Sequence, residues 1–254
     1  MLKAQEIDKS EAQKLKGYTF EEKIDGFRSF FINKTLLSDR GINENRKFPH
    51  IAQALLSHNV VLDGEIALKE YSTVHKINSK EFWNKAVYFV FDILAFNGED
   101  LTFLPLIKRR EYLCRFFDEN KLINLQLPIC FTNFNEGWNY VQEHNLEGLI
   151  AKDLSSRYHS LDRYDLIKNV FRVKSWYKIK NFKEDRLEII GYEAGKWHGT
   201  FILEGNHRIS ALSPKIVDAY NRLKEYGKVY AEFCYLYKTE NQNYFQPILK
   251  NING

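Results

Sequence analysis

Cysteine is scarce in this chain. The 254 residues hold three, Cys114, Cys130 and Cys234, with no Cys-x-x-Cys or Cys/His ligand spacing among them. That argues against structural zinc, and the odd count points to reduced thiols in a reducing compartment. Long apolar runs are missing too. None approaches the ~20 residues of a membrane helix, and the opening "MLKAQEIDKSEAQKLKG" has neither an apolar core nor a cleavage site for secretion. The expected location is cytoplasmic, nucleoid-associated in a bacterium, with no membrane partner. Charge of one sign is also lacking: a net +4 is too small to announce a nucleic-acid partner by itself. Neither an internal repeat nor a low-complexity tract appears. "GYEAGK" is one residue short of a phosphate loop, and Trp197 stands where Ser or Thr is required. A turn between strands accounts for both of its glycines.

What is present is apolar and aromatic. A hydrophobic content of 44% in a chain of this length can bury one large core or two unequal ones, and Phe and Tyr dominate the 15% of aromatics. Between Lys152 and Lys183 basic residues outnumber the acids Asp153, Asp162 and Asp165, and Tyr158, Tyr164, Trp176 and Tyr177 interrupt them. Such a segment suits a phosphate backbone with rings to stack on, and equally suits a solvated basic face.

Alternation around Asp25–Gly26, "YTFEEKI" then "FRSFFIN", reads as a hairpin with Lys23 near the end of its first strand. "FPHIAQALLSH" has helical spacing. "NVVLDGEIALKE" reads as an apolar strand broken by a second Asp-Gly, and "AVYFVFDILAF" as a buried central strand. "LPLIKRREYLCRFFDEN" is an amphipathic helix with Leu106, Tyr112, Leu113 and Phe116 on its apolar side. A shorter helix, "NEGWNYVQEHN", leads into the strand "LEGLIAKD". After "SWYKIKNFKED" the texture changes to short strands with Gly turns and one helix, "PKIVDAYNRLKEYG", which suggests a small barrel of the oligonucleotide-binding (OB) type. The boundary falls near Asn181, dividing the chain into 1–181 and 182–254.

"EEKIDGFRS" surrounds Lys23 with carboxylates, and the arrangement poses a chemical problem. To attack phosphorus at neutral pH a lysine must lose about 3 units from its reference pKa near ~10.4. Adjacent carboxylates push the other way; burial, nearby cations or a metal push down. "LDGE" supplies Glu65 and "LEGLIAK" supplies Glu147, carboxylates at strand ends suited to a divalent ion. "WYKIK" supplies Lys178 and Lys180, two apart and so on one strand face. Two cations and a metal around one lysine would lower its pKa and bind a triphosphate.

Taken in chain order, "EEKIDGFR", "SDRG", "LDGE", "FDIL", "EGLIAK" and "WYKIK" resemble the motif series of the covalent nucleotidyltransferases, specifically ATP-dependent DNA ligases. "FDILAFNGEDLTFLPLIKRREYL" and "IIGYEAGKWHGTFILEG" are similar to the bacterial double-strand-break-repair branch in a minimal form, and the resemblance runs from about Tyr18 to the last residue. It implies an α+β fold: an ATP-grasp-like adenylation domain of antiparallel sheets with flanking helices at 1–181, then an OB-fold barrel at 182–254. By resemblance Lys23 is the nucleophile toward the α-phosphate of ATP, with Asp25 and Gly26 shaping the turn that presents it. Glu21 is implied to read adenine, Arg28 to meet ribose and DNA phosphate, and Arg40 to grip the 5′-phosphate side of a nick. Phe91 is implied to stack on the purine, Glu65 and Glu147 to serve ribose and Mg²⁺ or Mn²⁺, and Lys178 and Lys180 to contact the α-phosphate. Arg172 matches a basic position near the DNA. Singly, each residue has an ordinary alternative: Phe91 a core residue, Glu65 and Glu147 solvated turn acids, the lysines an exposed strand face.

The match departs from the family in two places. Its last motif carries arginines where "FQPILKNING" has Phe245 and Asn253, keeping only Pro247 and Lys250, which puts self-adenylylation from ATP in question. "HSLDRYDLIKNVF" reads as an insertion whose Arg163 and Lys168 are either phosphate contacts or plain surface. With the catalytic motifs starting so early, no DNA-encircling domain is expected ahead of them. The expected substrate is nicked double-stranded DNA and the expected state a monomer. The alternatives are an RNA end-joining ligase or capping-type nucleotidyltransferase, and a catalytically weak DNA-end-binding protein.

Overall fold

The strands around Lys23 are apolar on more than one face, and the chain meets that demand with two sheets rather than one hairpin. The computed structural model describes residues 2–69, 74–158, 171–196 and 198–254, with the backbone alone at 74, 75, 171 and 172. They fall into two compact units, Met1–Lys180 and Asn181–Gly254. Among the described residues no helix is long and apolar enough to cross a membrane.

The first sheet of the first unit contains β1 (Leu2–Glu6), β2 (Tyr18–Glu22), β9 (Cys130–Phe131), β10 (Gly148–Asp153) and β11 (Phe171–Lys180). Their order is β1-β11-β10-β2-β9, antiparallel except for β1 beside β11. The second sheet runs β4 (Thr35–Ser38), β3 (Phe27–Ile32), β5 (Val60–Leu68), β6 (Ala86–Phe96) and β7 (Glu99–Asp100), with β8 (Leu125–Gln126) parallel to β6. The expected hairpin is thus corrected: β2 pairs with β10 and β9, whereas β3 pairs with β4 and β5. Four of the five β2 residues are buried, so the strand needs neighbours on both edges and cover on both faces. The segment Lys23–Gly26 is then a crossover between sheets. Gly26 keeps a negative φ, so the backbone does not make the mirror-image turn that favours an Asp-Gly hairpin.

The second Asp-Gly does not break its strand either. β5 continues through Asp63–Gly64, with a register shift against β6 at that point. A side chain at Gly64 would strike the Phe89 carbonyl and the Tyr88 ring, so the bulge and the glycine allow close strand approach. β6 is flanked on both edges and almost wholly buried, as its unbroken apolar run requires.

Helix α4 (Leu106–Glu119) lays Leu106, Leu113 and Phe116 on the second sheet, together with the buried Arg109. That guanidinium sits on the apolar stripe because Asp92 of β6 receives it twice, at 2.8 and 2.7 Å, and its Nη1 donates to the Leu104 and Ser156 carbonyls. Helix α5 (Phe134–Glu143) covers the first sheet with Phe134, Trp138 and Val141. A third cluster, built from Leu2, Phe30, Val61, Leu94, Tyr158 and Trp176, joins the two sheets.

The second unit is a curled antiparallel sheet, half of a small barrel. Its order is β14 (His207–Ser210), β13 (Thr200–Leu203), β12 (Lys183–Glu193), β15 (Tyr230–Tyr235) and β18 (Ile248–Asn253). Helix Pro214–Leu223 packs Tyr220 on a core of Phe201, Leu203, Ala231, Phe233 and Leu249. At the two positions where the resemblance implies arginine, Phe245 stacks on Tyr237 at 4.6 Å, and Asn253 accepts from Arg186 and donates to Glu232.

Candidate active site

Two residues apart on β2 and just beyond it, Glu21 and Lys23 leave the same face. The Lys23 amide donates to the Gly148 carbonyl at 2.9 Å, which seats the lysine beside Glu147; its Nζ donates to Glu147 Oε2 at 2.5 Å. This seat depends on two glycines. A side chain at Gly26 would run into the Ile66 carbonyl, and one at Gly148, whose φ is +148°, into that of Ile179. Both backbones therefore approach too closely for any other residue.

Lys23 lies in a cleft of about 600 Å³ formed within the first unit, also lined by Glu21, Arg28, Glu65, Phe91, Trp176 and Lys178. Pockets of that size take small-molecule ligands. Trp176, Lys178 and Lys180 alternate along β11, so all three side chains leave one face. Lys178 and Lys180 reach Glu6 at 3.2 and 3.7 Å. Arg40 lies exposed at the cleft rim. Arg172 falls on β11, but its side chain is outside the described residues, as are Arg163, Lys168 and Trp197.

The electrostatics answer the question posed by the acids around Lys23. Burial disfavours its ammonium, yet Glu147, and behind it Glu65 and Asp25, more than offset that and hold its pKa above the ordinary value. In this state the nucleophile candidate is a cation. Glu65 is pushed up to about 7, because its burial outweighs the pull of Lys23 and Arg28. Arg28 is locked to Asp63 by two hydrogen bonds of 2.8 and 2.6 Å, and Tyr158 donates to the same carboxylate at 2.9 Å. The Arg28 guanidinium also lies 4.8 Å from the Phe91 ring.

Glu21 is gripped from both sides. Lys152 Nζ donates to its Oε2 at 2.7 Å, the two side chains being 1% and 2% exposed, and Arg110 of α4 donates to its Oε1. Lys152 also sits 4.3 Å from both the Phe91 and Trp176 rings, and burial lowers its pKa.

Thus Glu21, Lys23, Arg28, Glu65, Phe91 and Lys178 share one cleft and Glu147 adjoins it; burial holds the Glu147 carboxyl above its ordinary value, against the pull of Lys23 and, more weakly, Lys180. Sequence reasoning missed Asp63, Arg110, Lys152 and Tyr158 as site residues. Asp63 and Lys152 stand inside quoted motifs, "LDGE" and "EGLIAK", so their position was the available signal. Arg110 stands inside the longer stretch "FDILAFNGEDLTFLPLIKRREYL" and Tyr158 among the rings of the basic segment, but neither signal gives a role at the site, since both act across sheets.

Two hard carboxylates beside one lysine fit a divalent cation. Among the described residues no group of three or more His, Cys, Asp or Glu forms a complete cage. Mg²⁺ commonly takes one or two carboxylates and fills its shell with substrate phosphates and water. The unsatisfied charge state of Glu65 is what such an ion would relieve.

Comparison with known proteins extends these observations. A family model described as ATP dependent DNA ligase domain matches residues 1–180. A probable DNA ligase of Dictyoglomus turgidum is 28% identical over 231 residues, 78% of this chain and 38% of that protein. The SPbeta prophage-derived DNA ligase-like protein LigB of Bacillus subtilis is 28% identical over 192 residues, 69% of this chain and 65% of that one. The chain therefore spans less than two thirds of the length of either relative. Its fold is similar to a solved Lig E DNA ligase at a TM-score of 0.71, with 15% identity, over 100% of this chain and 98% of that one.

Proposed function

Since the chain belongs to the ATP-dependent DNA ligase family, we propose that it seals 3′-hydroxyl/5′-phosphate nicks in duplex DNA through a lysyl-AMP intermediate. The observation that carries this reading is Lys23 Nζ at 2.5 Å from Glu147, at a cleft that also holds Glu21, Arg28, Glu65 and Phe91. Lys23 sheds a proton, for which Glu147 Oε2 is the nearest acceptor, and its Nζ attacks the α-phosphorus of ATP. A nitrogen–phosphorus bond forms and the bond to pyrophosphate breaks. AMP then passes to the 5′-phosphate of the nick, and the 3′-hydroxyl displaces it to join the strands. Phosphoryl transfers of this kind rest on positioning and charge neutralisation, which the cleft supplies.

The purine would lie on Phe91 with Glu21 accepting from its exocyclic amine, while Arg28, fixed by Asp63, faces the ribose. Lys178 and Lys180 contribute positive charge toward the α-phosphate, and Arg40 and Arg172 toward the nicked strand. Glu65 and Glu147 would hold Mg²⁺ or Mn²⁺, which when bound supplies charge neutralisation at phosphate oxygens.

One departure favours a second reading. With Phe245 and Asn253 engaged in contacts within the second unit, two positions that carry arginine in the family offer no cation to the pyrophosphate. A ligase slow in its first step would still seal a pre-adenylylated nick. The test is to incubate the protein with magnesium and α-labelled ATP and look for label on the denatured chain. Label on the wild type and none on Lys23→Ala is the expected result. No label, but sealing of a pre-adenylylated nick, supports the second reading; no label and no sealing overturns both.

A further inference from the structure

Arg110 reaches Glu21 from a helix and lies outside the six short motifs that supply the rest of the site. It follows Arg109, and that adjacency is its origin. Arg109 bolts α4 to β6 through Asp92, and the next residue, about 100° further around the helix, turns toward β2 of the other sheet. There its guanidinium donates to Glu21 Oε1, while Lys152 donates to Oε2. Glu21 is 2% exposed and lines the cleft; Arg110 lies behind it, away from the cleft lining. A carboxylate that deep keeps its orientation only while both oxygens are held. Each oxygen has a second lone pair for a ligand.

We propose that Arg110 is a specificity-determining positioning residue, which holds Glu21 so that its carboxylate faces a nucleobase bearing an exocyclic amine and rejects one presenting a carbonyl there. The inference rests on the ligase reading and deepens it by naming the base-selecting element. Lys152 alone cannot supply this function. It too is buried and can meet an acceptor as readily as a carboxylate, so with Arg110 gone the ammonium would favour a base carbonyl. The pair, one cation behind the carboxylate and one beside it, leaves Glu21 acceptor-only toward the cleft.

The test compares self-nucleotidylylation of the full chain by ATP, by purine riboside triphosphate, which lacks the amine, and by GTP. Wild type should favour ATP over the des-amino nucleotide. Arg110→Gln should lose roughly ten- to a hundredfold in kcat/KM with ATP, mostly through KM, and far less with purine riboside triphosphate. Arg110→Lys should restore part of the preference. Glu21→Gln should reproduce the loss, and the double variant should add nothing further. Arg110→Lys keeps the test decisive if Arg110→Gln folds poorly, since a structural defect alone lowers all three nucleotides together. An equal loss with every nucleotide, or an unchanged ATP preference in Arg110→Gln, overturns the inference and leaves the ligase reading standing. A wild type that takes label from none of the three overturns the inference, and sealing of a pre-adenylylated nick then decides whether the ligase reading stands.

Discussion

Glu65→Gln should make the protein more stable and less active, and the stability gain should depend on pH in a defined way. Burial moves the Glu65 carboxyl from 4.5 to about 7. At 1.36 kcal/mol per pH unit that rise corresponds to about 3 kcal/mol of differential proton affinity between folded and unfolded chain. Between pH 4.5 and 7 the folded state keeps a proton that the unfolded state has released, so stability falls as pH rises through this window. Above about pH 7 the folded carboxylate is ionised at full cost. Glutamine carries no charge at any pH, so its advantage should be nil near pH 4 and reach up to about 3 kcal/mol at pH 8. For a unit of this size each kcal/mol is roughly 2–4 °C in melting temperature. Tryptophan fluorescence suits the measurement, because Trp83, Trp138 and Trp176 lie in the first unit and only Trp197 in the second. The same variant should label poorly with ATP, having lost a carboxylate charge proposed to serve the ribose and the divalent cation. A stability difference of the same size at pH 5 and pH 8 would refute the reasoning.

Arg109→Met should destabilise the first unit by about 3–5 kcal/mol, because it leaves Asp92 buried without its cation; Asp92→Asn on that background should recover part of the loss in urea unfolding. Binding to nicked duplex should weaken steeply with salt, roughly a thousand- to a hundred-thousand-fold between 50 and 200 mM if six to ten phosphates are neutralised. Fluorescence anisotropy across that range checks it, and a constant indifferent to salt would remove the basic segment from the interface.

How much of this was legible beforehand depends on how local each signal is. The apolar run of β6 and the stripe of α4 are written in consecutive residues, and both elements appear where the periodicity places them. The hairpin at Asp25–Gly26 failed because turn chemistry is also local, whereas the choice of partner strand is not. β2 and β3 each needed two buried neighbours, and only the whole fold could say which. Arg109 shows the same limit from the other side. A charged residue on an apolar stripe reads as an interruption until Asp92, seventeen positions away, is seen to receive it. The cleft residues came from ordered motifs, while the residues that hold them, Asp63, Arg110 and Tyr158, came only from contacts between sheets.

The carboxylates around Lys23 then acquire a physical meaning that composition alone could not give. Glu147, Glu65 and Asp25 stabilise the ammonium against its burial, and Glu147 holds its Nζ in place. Attack on phosphorus requires the opposite charge state, and the same three acids decide how much must change to reach it. Each carboxylate drawn away from Lys23 toward another cation removes one of the interactions that keep it protonated. Burial, which already opposes the charge, is then less opposed. Lys178 and Lys180, now 3.2 and 3.7 Å from Glu6, are two such cations on the adjoining strand. On the proposed reading the lysine is held in position by the interactions that keep it protonated, and its attack is tied to a ligand that redistributes those charges. That coupling limits wasteful reaction of an amine with anything that does not also engage the surrounding acids.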